Sequence, residues 1–246
     1  MTRNPILTVL STLKLRRVKC LLIGGQACII YGAAEFSRDS DFVLLDSADN
    51  LNSLRDALKD LESDLIYVPP LEVKYLAKGH ACHFRCDRED VKGLRIDVMS
   101  RLRGWDPFDM LWERRHTISL GNGSAIDIIG LQDLVKSKKT QRDKDWLMLK
   151  RLVNNDIIMC KYDAPKEHIR WWLQECRDAG MLIELVKAYP EIAQENISRS
   201  LLKSAVSADI EEINKELQSE EKLEREKDRE YWAPLRKELE DLRHKQ

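Results

Sequence analysis

The sequence predicts an α/β (α+β) chain, with a mixed sheet and flanking helices followed by a helical C-terminal region. Three observations carry this. In the first half, short apolar runs alternate with stretches of helical spacing; beyond Leu131 strand signals almost vanish; and from Glu211 onward Glu, Lys and Arg dominate. The change of pattern sets three segments, 1–154, 155–206 and 207–246.

In order along the chain, Val18–Ile23 is an apolar run stopped by Gly24-Gly25, and Gln26–Tyr31 reads as a brief helix ending near Gly32. Asp41–Leu45 reads as the second strand. Ser47–Leu61 carries an N-cap candidate and helical spacing through Leu51, Leu54, Leu58 and Leu61. Further strands are expected at Leu65–Val68, His80–Cys86, Leu94–Met99, His116–Leu120 and Ala125–Ile129. Helices are expected at about Leu131–Asn154, Pro165–Ala179, Met181–Ala188 and Ala193–Ala205, punctuated by Pro165, Gly180 and Pro190. Trp171 and Trp172 are adjacent, so on a helix they point ~100° apart; core packing is the ordinary reading of both. In the charged tail, Leu223 is the only apolar anchor between Glu220 and Glu230. Opposite charges at three- and four-residue spacings predict a solvated helix, Pro234 should break or kink it, and the stripe Leu235, Leu239, Leu242 should dock on its own domain or on a partner subunit.

Composition sets outer limits. The 246 residues suffice for one or two domains at ~100–200 residues each. The hydrophobic share is 43% and the charged share 34%, a folded rather than disordered balance. With 41 basic and 42 acidic residues the net charge is -1, so a nucleic-acid partner would need a local basic patch. No signal-like N-terminal run and no stretch of ~18 apolar residues occurs, which leads to the expectation of a cytoplasmic protein without a membrane partner. The cysteines at 20, 28, 82, 86, 160 and 176 are scattered, as reduced thiols would be. His80, Cys82, His83 and Cys86 crowd together, but the strand pattern puts Cys82 and Cys86 ~13 Å apart, too far to share one zinc ion.

The stretch that carries chemistry is Leu22-Ile-Gly-Gly-Gln-Ala-Cys-Ile-Ile-Tyr-Gly32 followed by Phe36-Ser-Arg-Asp-Ser-Asp-Phe-Val-Leu-Leu45. On a strand, Asp39 and Asp41 project from one face with Cα atoms ~6.6 Å apart, so they can bracket a hard cation. Gly24 and Gly25 come straight after a strand, where bare backbone can approach a phosphate. Asp97 lies inside Leu94-Arg-Ile-Asp-Val-Met99, where Ile96 and Val98 take the opposite face. A buried carboxylate needs a partner, and a cation shared with Asp39 and Asp41 would supply one; the alternative is a rim Asp bonded to backbone.

These residues resemble the nucleotidyltransferase superfamily, especially bacterial proteins related to the AbiEii abortive-infection toxins and minimal nucleotidyltransferases. In that family a strand ends in Gly-Gly or Gly-Ser, a Thr/Ser-x-Asp-x-Asp signature opens the next strand, and a third Asp follows later; here these look like Gly24, Gly25, Ser37, Asp39, Asp41 and Asp97. The segments Ile128–Lys136 and Gln141–Trp146 are similar to the family's helix whose Lys and Arg face the triphosphate, and the likeness spans about residues 15–153. Glu35 and Gln26 stand where many relatives carry Arg and Ser or Ala.

The resemblance implies a nucleotidyltransferase-like catalytic domain at 1–154, with a helical lobe and a charged tail behind it. It implies Mg²⁺, for which Mn²⁺ substitutes, held by Asp39, Asp41 and Asp97 as the catalytic acids. A nucleoside triphosphate would lie against Gly24, Gly25, Ser37, Lys136, Arg142 and Lys144. The nucleotidyl group would pass to an acceptor that is an RNA, a protein or a small molecule, as in a toxin–antitoxin or phage-defence component. Two other readings remain open: a catalytically weak nucleotide-binding or antitoxin-like module on the same fold, and an interaction protein working through its charged C-terminal helix.

Overall fold

The computed structural model describes residues 5–119, 125–160 and 162–244. They form two compact units: Met1–Ile30, Ala34–Ser137 and Tyr231–Gln246 make the first, and Tyr31–Ala33 with Lys138–Glu230 the second.

The first unit is built on the expected mixed sheet. Its strands are β1 (Cys20–Ile23), β2 (Asp39–Leu44), β3 (Ser63–Leu65), β4 (Cys82–Cys86), β5 (Arg95–Met99), β6 (His116–Ser119) and β7 (Ala125–Ile128). They lie in the order β3-β4-β5-β2-β1-β7-β6. β2 runs parallel to β5 and antiparallel to β1, and β1 runs parallel to β7. The helices are α1 (Pro5–Leu15), α2 (Gly24–Ile30), α3 (Ala48–Asp60), α4 (Val73–Leu76), α5 (Phe108–Glu113) and α6 (Leu131–Ser137).

Sequence pattern explains where the sheet is closed and where it is open. Phe42-Val43-Leu44 is a continuous apolar run and is buried throughout, as a strand covered on both faces requires. The preceding Asp39-Ser40-Asp41 alternates half-buried, buried, half-buried, so one face of the sheet is accessible at that end. Leu21, Leu22, Ile96, Val98 and Ile128 complete the centre of the core, each worth about 1.5–3 kcal/mol over exposure. Buried Asn50 secures the far end of β1 and β2. Its side chain accepts from Lys19 N at 2.7 Å and donates to the Leu45 carbonyl at 2.8 Å, while Ser47 caps α3 as expected.

The second unit is helical among its described residues: α7 (Asp143–Cys160), α8 (Lys166–Glu175), α9 (Ala179–Ala188), α10 (Pro190–Glu195), α11 (Leu201–Val206) and the first part of α12 (Ile210–Arg243). Trp171 and Trp172 are both buried, the latter completely. The Trp172 indole donates to Asp156 at 2.6 Å, and His168 meets the same carboxylate at 2.6 Å.

Several expected elements are corrected. The single helix over Leu131–Asn154 is two, because residues 138–142 close around buried Asp145. Thr140 donates to Asp145 at 2.7 Å, the Arg142 Nε at 2.7 Å, and Lys138 reaches it at 3.5 Å. Ala193–Ala205 is likewise interrupted, between α10 and α11. The strand expected at Leu65–Val68 is Ser63–Leu65, paired with β4. Leu120, the last residue of an expected strand, lies outside the described residues.

The charged tail differs most. α12 runs through Pro234 without a break, and Leu223 is 54% exposed. Polar anchors hold this stretch instead. Glu220 receives Arg177 at 2.5 Å and Arg199 at 2.8 Å, and Arg225 donates to the Gln141 carbonyl and Asp143 at 2.7 Å each. The last stripe docks on the first unit, to which it belongs: Leu235 is buried, and Glu238 pairs with Lys78 at 2.5 Å and buried His80 at 3.0 Å.

Candidate functional site

The open end of β2 gathers the polar residues of the sheet. Asp39 and Asp41 are one pleat apart, so their side chains leave the same face. The parallel pairing of β2 with β5 sets Asp41 opposite Asp97 and Asp39 opposite Arg95. The antiparallel pairing of β4 with β5 then sets His83 opposite Asp97. One accessible sheet face therefore carries Asp39 and Asp41, then Arg95 and Asp97, then His83 across three neighbouring strands.

The acids are in different surroundings. Asp97 is nearly buried, and its Oδ1 accepts from Arg95 Nε at 2.8 Å and stands 2.8 Å from His83 Nδ1. Arg95 Nη2 is also 3.0 Å from His83 Nδ1, which closes a three-membered cluster. Burial works to lower the Arg95 guanidinium; its hydrogen bond to Asp97, then the charges of Asp97 and Asp39, outweigh that and raise it above its ordinary value. Asp39 is thus within electrostatic reach of the guanidinium. The Tyr67 ring, half exposed, meets His83 edge-on at 6.0 Å between centroids.

Asp41 occupies the space above Gly24. A Cβ added to Gly24 would lie 2.0 Å from the Asp41 Oδ2, and the backbone there has φ +66, so the position demands glycine twice over. Gly25 does the same for Ser37, whose Oγ would lie 2.4 Å from an added Cβ. Ser37 is held over that glycine by Gln26, which donates to the Ser37 carbonyl at 2.9 Å, and its own hydroxyl reaches the Asp39 carbonyl at 3.3 Å. The Gly-Gly turn thus first admits two of the chain's own polar side chains.

The three expected cations have these surroundings. Lys136, on α6, is 3.4 Å from Asp133, a buried carboxylate also gripped by Arg114. Arg142 and Lys144 are exposed residues of the second unit, Arg142 with its Nε on Asp145. The cysteines show no disulfide, and burial pushes the Cys20 and Cys82 thiols up to about 12, consistent with unreactive reduced groups.

Among the described residues, no three His, Cys, Asp or Glu side chains are gathered closely enough to hold a metal ion. The donor set still fits a hard dication in kind. Three carboxylates share one face, Asp41 has its place through the missing Gly24 side chain, and oxygen donors of this type suit Mg²⁺. What the arrangement adds to the sequence reading is Arg95 and His83. Arg95 was readable, since it stands two residues before Asp97 on the same strand face; His83 becomes a neighbour only through the pairing of β4 with β5.

No helix among the described residues is long and apolar enough to cross a membrane. No protein-family model and no curated protein matches the sequence. Among solved structures, the chain is similar to a "putative nucleotidyltransferase" from H. pylori, at 14% identity and a TM-score of 0.41 over 92% of this chain and 94% of that one.

Proposed function

We propose that this chain is a magnesium-dependent nucleotidyltransferase, and the observation that carries the proposal is the register that sets Asp97 beside Asp41 on the face shared with Asp39. Asp39, Asp41 and Asp97 would hold Mg²⁺ or Mn²⁺, which when bound neutralises phosphate oxygens and eases ionisation of an acceptor hydroxyl. The chain's residues bind and orient the reactants. Ser37 and the backbone at Gly24 and Gly25 present polar groups at the triphosphate end of β1, and Lys136, Arg142 and Lys144 are assigned to the β- and γ-phosphates. Asp97, beside which His83 stands at 2.8 Å, takes the proton of the acceptor hydroxyl. The acceptor oxygen bonds to the α-phosphorus, the bond to the bridging oxygen breaks, and pyrophosphate leaves.

One observation favours a second reading. The Arg95 guanidinium already lies on Asp97, as it would in a nucleotide-binding module with little turnover. Incubating the protein with each radiolabelled nucleoside triphosphate, Mg²⁺ and cell extract separates the two. Mg²⁺-dependent pyrophosphate release with label entering RNA, protein or a small molecule supports the transferase and names its acceptor, including one expected of a toxin–antitoxin or phage-defence component. Retention of unprocessed nucleotide without release supports the binding module.

A further inference from the structure

The cluster around Asp97 has a feature that the transfer reaction does not require, a cation of the chain's own seated in the acid strip. Arg95 stands opposite Asp39 on the neighbouring strand, donates from Nε to Asp97 at 2.8 Å, and places Nη2 3.0 Å from His83. Its side chain is 33% exposed against 10% for that of Asp97, so the long side chain can leave toward solvent while the carboxylate stays. A dication arriving at Asp41 and Asp97 therefore meets a positive charge already in place, and like charges at such distances repel strongly where solvent screening is partial. Guanidinium is also the side chain best suited to bidentate binding of phosphate oxygens, which gives Arg95 another partner once a triphosphate is bound.

We propose that Arg95 is an internal counter-cation that excludes the divalent ion from the acid strip until a nucleoside triphosphate draws the guanidinium away from Asp97, so that metal and nucleotide bind cooperatively. The proposal rests on the functional reading above and deepens it: Arg95 becomes the residue that couples the two ligands. His83 Nδ1, which Arg95 Nη2 meets at 3.0 Å, also lies 2.8 Å from Asp97 Oδ1, so once Arg95 leaves that nitrogen can donate to the carboxylate and keep it in place. Coupling of this kind is reciprocal, so the factor by which nucleotide tightens metal must equal the factor by which metal tightens nucleotide.

The test measures Mn²⁺ binding to the full chain by the paramagnetic resonance signal of free Mn²⁺, with and without a saturating α,β-methylene triphosphate analogue. The wild-type protein is expected to bind Mn²⁺ weakly alone and at least ~10-fold more tightly with the analogue, within the usual range of coupling factors. Arg95→Gln should bind Mn²⁺ tightly without the analogue, with the coupling factor falling below ~3, and Asp39→Asn added to it should abolish that binding. Arg95→Gln that leaves the wild-type affinity and coupling unchanged, or that weakens Mn²⁺ binding, overturns the proposal while leaving the metal site intact. Absence of Mn²⁺ binding in both proteins, with or without the analogue, overturns the metal-dependent function and the proposal together. Should Arg95→Gln fail to fold by circular dichroism, Arg95→Lys decides: it keeps one charge but loses the fork, so coupling must fall from the wild-type value, and unchanged coupling counts against the role.

Discussion

The two units use charge in opposite ways. In the helical unit, acids and bases close on one another. Glu220 lies between Arg177 and Arg199, Asp145 collects Lys138, Thr140 and Arg142, and Asp156 serves His168 and Trp172. On the sheet face of the first unit, Asp39, Asp41 and Asp97 share a face with one guanidinium and one imidazole. Networks that close internally fasten a fold, whereas carboxylates gathered on an accessible sheet face stand where a ligand can reach them. Function is therefore sought at the strip, and stability in the helical network.

The sharpest way to break this comparison is to neutralise the strip. Asp39→Asn combined with Asp41→Asn is expected to lower Mg²⁺-dependent transfer by at least ~100-fold with a melting temperature near that of the parent, since both side chains are half-buried at an open strand end. Pyrophosphate release and calorimetry on the same preparation check it; full activity, or a large fall in melting temperature, would mean that these acids belong with the structural ones.

Gly24→Ala probes the link between turn and strip. Its Cβ would collide with the Asp41 carboxylate, and its backbone sits at φ +66. A loss of about 1–3 kcal/mol in denaturant unfolding is expected, together with weakened Mn²⁺ binding as Asp41 is displaced. Stability lost with Mn²⁺ affinity unchanged would separate the turn from the site.

In the helical network, Glu220→Gln should cost about 2 kcal/mol, because it leaves two arginines facing each other while transfer is unaffected. Burial pushes the Glu220 carboxyl up, but the hydrogen bond and charge of Arg199, then the charge of Arg177, prevail and hold it below its ordinary value of 4.5. On the partner side, burial and then Arg199 push the Arg177 guanidinium down, against the pull of Glu220. Because the folded carboxyl is depressed, its contribution is fully present above the ordinary glutamate range and is lost as pH falls through its lowered native value. Urea titrations from neutral to acidic pH should therefore show the difference between parent and Glu220→Gln shrinking only on the acid side. The smallest effect belongs to Leu223→Ser, within about 0.5 kcal/mol in the same titration, since this side chain points largely into solvent.

Alternation along β2 made Asp39 and Asp41 legible as a pair, and the flanking Ile96 and Val98 made the face of Asp97 legible. That Asp97 joins Asp39 and Asp41 was legible from its need of a partner and from the family resemblance, whereas the parallel register that sets it beside Asp41 joins segments far apart in the chain and leaves no local mark. The same limit hid His83. Gly24 and Gly25 were readable as a turn, but that Asp41 and Ser37 fill the space above them depends on how the following strand returns. In the tail, charge spacing predicted the helix correctly, yet apolar periodicity gave Leu223 a role that Glu220 and Arg225 perform. Ion pairs between distant helices have no periodic signature. Pro234 lacks its hydrogen bond, but buried Asp228 before it and Leu235 after it fasten the helix on both sides.

The last turns of α12 also impose an order of events on synthesis. Tyr231–Arg243 belong to the first unit, and Glu238 is the partner of buried His80, although nearly the whole helical unit is translated before them. A nascent chain carrying β1 to β7 would still hold His80 without that carboxylate until α12 emerged. The sheet unit is thus completed by two segments far apart in sequence, and a truncation before residue 207 removes one of its parts rather than an appendage.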